Sequence, residues 1–176
     1  MTNRSSMTNN RSMTTRKIAT YGMMIALALV MSYIEAQIPA FVAVPGMKLG
    51  LTNIVVVVAL YVMGNKSAML VNIVRIILVS LLFGNTMSFA FSIAGGMLST
   101  IIMIFLKKTN RFSTIGVSAA GGITHNIGQI LVAILFLHTV AIAWYLPILW
   151  ISGIISGIII GLIAGLIAQR LHSFDI

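Results

Sequence analysis

Arg75 stands inside an otherwise apolar run, LVNIVRIILVSLLFG, residues 70–84. A guanidinium at the centre of a membrane helix costs at least about 2.5–3.5 kcal/mol on insertion scales, so it is usually kept where it faces a cavity or a partner. Asn72 lies three residues earlier on the same helical face. A second polar group sits in SAAGGITHNIGQ, residues 118–129. There Ser118, Gly122, His125 and Gln129 follow i, i+4, i+7 and i+11, one face of a helix, with Asn126 about 100° further round. Between these segments, Ser92, Gly95, Gly96 and Ser99 form a small polar stripe. Guanidinium binds phosphate or carboxylate in bidentate fashion, and an imidazole and carboxamides at the same depth add donors. The competing reading is a structural network in which Arg75 bonds helix carbonyls, Asn and His.

The acid count favours a ligand. Glu35 and Asp175 are the two acidic residues. Asp175 belongs to the C-terminal tail, and Glu35 is expected at the outer end of the first apolar run, paired with Lys48. Neither is expected to neutralise Arg75. The expected partner is therefore a small external anion, contacted by Arg75, His125, Asn126, Gln129 and Asn72, with Lys48 and Asn53 at the entrance. Trp144 and Tyr145, at the start of the last apolar run, read as interfacial anchors that could also stack on a ring.

The elements that must position these groups are membrane helices. Of 176 residues, 59% are hydrophobic and 7% charged, too few charges to coat a water-facing surface, where about 25% is usual. The net charge of +9 would suggest nucleic acid in a soluble protein; here its placement matters more, and no nucleic-acid partner is expected. With no cysteine, disulfides and thiolate metal sites are excluded. The expected fold is an all-α integral membrane protein with six transmembrane helices, near 17–36, 49–63, 66–84, 87–106, 114–138 and 144–168. The second is the shortest, because Pro39, Pro45, Gly46 and Gly50 break the apolar stretch before it. That stretch, around AFVAVPG, is expected to be a partly embedded lid. Residues 1–16 are polar and weakly repetitive, which predicts a disordered cytosolic tail. Residues 17–170 form the membrane domain, its first helix retained rather than cleaved, and 171–176 a short cytosolic tail.

Lys and Arg set the orientation. With the N-terminus inside, nine of the eleven basic residues fall on the cytosolic side, Lys48 falls outside, and Arg75 lies within a span. Both termini are expected in the cytosol, in a multi-pass protein of the cell membrane. Gly153, Gly157, Gly161 and Gly165 recur every fourth residue, a groove that serves internal packing or a second membrane subunit. Ala19, Gly22 and Ala26 share a face of the first helix and offer another small-residue surface.

Nothing reads as an enzyme. There is no phosphate-binding loop ending in Gly-Lys-Ser/Thr, no acidic pair to hold Mg²⁺ within the bundle, and no expected cofactor. His125, His138 and His172 are too scattered for a metal site.

The segments ATYGMMIALALVMSYIEAQIP and PGMKLGLTNIVVVVALYVMG resemble the opening of the substrate-binding (S) components of energy-coupling factor transporters. KLGLTN, VRIILVSLLFG, AGGMLS and THNIGQ resemble the Gx transporter family, also labelled heptaprenyl diphosphate synthase component I, over about residues 17–170. The resemblance implies an S-component-like bundle that takes up a vitamin- or cofactor-like molecule beneath the loop after the first span. It implies partners, a transmembrane coupling subunit and two ATPase subunits. It also implies a docking motif of the form Ala-x-x-x-Ala on the first helix, matched here by Gly22 and Ala26, with a glycine in place of the first alanine. Family neighbourhood makes a flavin the favoured cargo. The other label implies a non-catalytic membrane accessory of heptaprenyl diphosphate synthase in quinone side-chain synthesis. It cannot be the catalytic subunit, since such synthases hold Mg²⁺ on aspartate-rich motifs and this chain has one aspartate, Asp175. A small channel or scaffold is the third reading.

Overall fold

The computed structural model describes residues 3–37 and 50–172, with side chains described for 15–37 and 50–171. Among the described residues the chain is helical, without strands. The helices are α1 (Asn3–Gln37), α2 (Leu51–Val62), α3 (Asn65–Phe83), α4 (Thr86–Lys108), α5 (Thr114–Leu137) and α6 (Leu146–His172), the last preceded by a 3₁₀ turn, Val140–Tyr145. Five of these segments are long and apolar enough to cross a membrane, and α2 is a shorter apolar helix of 12 residues. The protein is therefore a multi-pass membrane protein.

Helical backbone extends into the segment expected as a disordered tail, for α1 begins at Asn3. Once an apolar stretch holds a helix, each added residue costs little, and the Thr20 hydroxyl continues the pattern by donating to the Arg16 carbonyl at 2.9 Å. Leu171 and His172, expected in the C-terminal tail, complete α6. The AFVAVPG lid and Lys48 lie outside the described residues.

Local chemistry sets the boundaries. Gly64, at φ 93°, turns α2 into α3, a conformation that disfavours any side chain. Asn85 caps α4 by accepting from the Ser88 N–H at 2.7 Å, and Ser113 caps α5 by accepting from the Gly116 N–H at 3.2 Å.

Packing places α2 in the middle. It lies against α1, α3 and α6, and every residue from Val55 to Leu60 is buried. A helix apolar on all sides belongs in the interior. At one end of the bundle the Tyr21 hydroxyl meets the Ser67 hydroxyl at 2.7 Å, Tyr61 shares a hydrogen bond with Thr114, and Lys107 donates to the Leu60 carbonyl.

Glycines fix the other side. A methyl at Gly157 would stand 2.6 Å from the Ala119 Cα, one at Gly161 2.7 Å from the Ile115 Cα, and one at Gly122 would strike the Gly153 carbonyl. The glycine stripe of α6 therefore packs against α5, as internal packing predicts. Gly128 sits close to the α4 backbone as well, for a methyl there would stand 2.8 Å from the Ala94 carbonyl. In lipid this van der Waals contact is what holds helices together.

Candidate functional site

The site starts where α1 ends and α2 begins. Gly50 adopts φ 78° at the α2 N-cap and donates its N–H to the Glu35 carboxylate. The Thr52 hydroxyl donates to the other Glu35 oxygen at 3.2 Å. Ser32 and Thr52 share a hydrogen bond of 2.8 Å; with the Thr52 proton on Glu35, Ser32 is its donor. The carboxylate thus meets the positive end of α2, where an anion is favoured. The expectation that Glu35 is not placed to neutralise Arg75 needs correction, while its expected partner Lys48 lies outside the described residues. Glu35 lines the same cavity as Arg75, and their charges interact. The end of α1 lies beside the middle of α3.

Arg75 is held by two carboxamides. Its Nε donates to the Asn72 oxygen at 2.9 Å, and its Nη2 to the Asn53 oxygen at 3.3 Å. A guanidinium has five N–H donors. Among the described residues two are used, which leaves three for whatever enters the cavity. Asn72 is saturated behind it. Its amide donates to the Gly96 carbonyl at 2.9 Å and to the Thr100 hydroxyl at 2.8 Å, and the residue is 1% exposed. Asn72 lines neither cavity and aims the guanidinium from outside. A methyl at Gly96 would stand 3.2 Å from that amide, so the glycine admits it.

Two cavities share a wall. The larger, about 90 Å³, is lined by Glu35, Thr52, Asn53, Arg75, Ser92, His125 and Gln129, among others. The smaller, about 30 Å³, lies between α2, α4, α5 and α6, with Ser99, Ser118, Asn126 and Ser152 in its lining. Gly50, Asn53, His125 and Gln129 face both. A helical stripe on α5, Thr52 and Asn53 of α2 and Arg75 of α3 thus converge on one space.

Of the residues expected at the site, the structure brings together Arg75, Asn53, His125 and Gln129. Asn126 lines the smaller cavity, but its amide donates to the Leu149 carbonyl at 2.6 Å and so also ties α5 to α6. Lining residues that were not selected include Glu35, Thr52, Ser99 and Ser118. The two serines were legible as members of the small polar stripes. Trp144 and Tyr145 are exposed, in the 3₁₀ turn before α6. Ala19, Gly22 and Ala26 face outward on α1, and a methyl at Gly22 would meet nothing within 4 Å. Among the described residues no group of three His, Asp or Glu side chains could hold a metal ion.

Comparison with known proteins gives one family. The model described as heptaprenyl diphosphate synthase component I matches residues 24–167. No curated protein and no solved structure matches this chain.

Proposed function

The chain belongs to the heptaprenyl diphosphate synthase component I family, and from that premise we propose that it is the substrate-binding subunit of an energy-coupling factor type transporter. Its cargo is a small vitamin- or cofactor-like molecule with an anionic group, a flavin being the favoured candidate. The chain itself is not an enzyme. ATP is hydrolysed by two partner subunits, and a transmembrane coupling subunit joins them to this one. Both termini lie in the cytosol of a cell-membrane protein, on the side where Lys and Arg concentrate.

One observation carries the reading. Arg75 is positioned by Asn72 and Asn53 while, among the described residues, three of its N–H donors are left over, and it lines a polar cavity inside a membrane bundle. A purely structural arginine would spend its donors on the bundle. An anion that meets three oriented charged donors gains charge-assisted hydrogen bonds. The free small-residue face of α1, at Ala19, Gly22 and Ala26, suits close approach by a second membrane helix.

Gentle purification of the tagged chain from its own membrane, followed by native mass spectrometry, tests this. A complex with a membrane subunit and two ATPases supports the proposal. A complex with a soluble, aspartate-rich prenyl synthase, and no small molecule, would overturn it in favour of an accessory role in prenyl diphosphate synthesis.

A further inference from the structure

The smaller cavity contains polar groups that the fold itself does not use. Gln129 is 9% exposed, and Ser99 and Ser118 are each 3% exposed. Among the described residues none of these three side chains has a hydrogen-bond partner. All three line the cavity. Their polar atoms are not sealed within protein but open onto the cavity, where a partner can reach them. Three around one space of about 30 Å³ mark a place built to receive hydrogen bonds. Their neighbours behave differently. Ser152 and Ser156 spend their hydroxyls on the carbonyls of Leu149 and Gly153 in their own helix, at 3.0 and 3.3 Å.

We infer that this cavity is a second subsite, which takes an uncharged hydrogen-bonding group of the same molecule whose anionic group sits on Arg75. The inference rests on the transporter reading and narrows its substrate class. Continuity comes from Asn53, His125 and Gln129, which face both cavities. Size limits the group. A buried water needs about 10–15 Å³ by the same measure, so the space accepts a hydroxyl, a carbonyl or a carboxamide and no ring. Charge limits it as well, because among the described residues no Asp, Glu, Lys or Arg lines this cavity. A hydrocarbon chain is disfavoured, since it would shut Ser99, Ser118 and Gln129 away from any partner. The cargo is thus a molecule polar at both ends of its bound portion, and not a polyprenyl diphosphate lying tail-inward.

The test is the combined Ser99→Ala and Ser118→Ala substitution in the full chain. It is read by native mass spectrometry as occupancy of the small molecule that co-purifies with the wild type. Removing unpartnered hydroxyls leaves the melting temperature of the unoccupied chain unchanged or higher. Occupancy falls roughly tenfold, the loss of one to two ordinary hydrogen bonds. The co-purified molecule carries a hydroxyl, carbonyl or amide as well as its acidic group. Undiminished occupancy in the double variant would overturn the subsite and leave the transporter reading standing, with water as the cavity's occupant. A co-purified molecule whose polar atoms are confined to one acidic group would do the same. A wild-type chain that brings no small molecule from its membrane overturns both. If the double variant does not fold, each single substitution gives the same readings.

Discussion

Two cations lie against α2, and they are used in opposite ways. Lys107, at the C-terminal end of the helix, donates to the Leu60 carbonyl and stands over the Tyr61 ring, 5.0 Å from its centroid. A lysine there satisfies a helix carbonyl that has no partner of its own and meets the negative end of the helix dipole. Arg75, near the N-terminal end, gives two hydrogen bonds to Asn72 and Asn53 and keeps three donors. The surroundings match. Around Lys107 the interior is the dry packing of Val55 to Leu60. Around Arg75 it is hydroxyls, carboxamides and a carboxylate that leave open space. The difference separates a charge that closes a structure from a charge that the structure holds ready.

The comparison can be broken most severely from outside both ends. Gly157→Leu puts a side chain where the Ala119 Cα stands 2.6 Å from a methyl position. It should cost about 3 kcal/mol or more, and a fluorescence-detected melting curve should show loss of the folded fraction, with both ends failing together. Asn72→Ala sharpens the contrast. It leaves the Arg75 Nε without its acceptor, while the Gly96 carbonyl keeps the Thr100 hydroxyl; this should cost about 1–3 kcal/mol of stability and lower occupancy of the co-purified molecule as well. A stability loss with full occupancy would show that Asn72 does not aim Arg75. Glu35→Gln removes a negative charge from the cavity wall while keeping an acceptor for the Gly50 N–H. Affinity for the co-purified anion should rise severalfold, on the order of 1 kcal/mol, as read by its occupancy during serial dilution. A fall would mean that the carboxylate itself contacts the cargo. Gly22→Leu has the smallest effect on this chain. Its melting temperature and occupancy should not change, because a side chain there meets open space, whereas co-purification with a coupling subunit should drop.

The helices were legible because hydropathy and turn residues report them directly. The expected span at 66–84 is α3, Asn65–Phe83, and the expected span at 114–138 is α5, Thr114–Leu137. The α6 glycines announced a close helix contact through their spacing, and that contact is α5. The single-residue geometry was less legible. Helical spacing put Asn72 on the face of Arg75, which is correct, but could not say that its amide would be spent on Gly96 and Thr100. It placed Asn126 about 100° from His125, which is why that residue reaches Leu149 on α6. Glu35 does lie at the end of the first helix, but its closeness to Arg75 depends on how α1, α2 and α3 pack, and no periodicity encodes that. Buried serines without partners were illegible for a similar reason. Ser99 and Ser156 look alike in sequence, and the difference appears only when the helix carbonyls are in place.

The most direct test sets the two cations side by side. Arg75→Ala and Lys107→Ala are each purified as the full chain from its own membrane, and melting temperature and small-molecule occupancy are read together by native mass spectrometry with a thermal ramp. Lys107→Ala should lower stability by about 1.5–3 kcal/mol, the range for a hydrogen bond to a charged group, with occupancy of the folded chain unchanged. Arg75→Ala should leave the chain folded and cut occupancy by roughly a hundredfold, about 2–5 kcal/mol for the loss of a charge-assisted contact. A folded Arg75→Ala chain that keeps its small molecule would contradict the account, and Arg75 would join Lys107 as a structural cation.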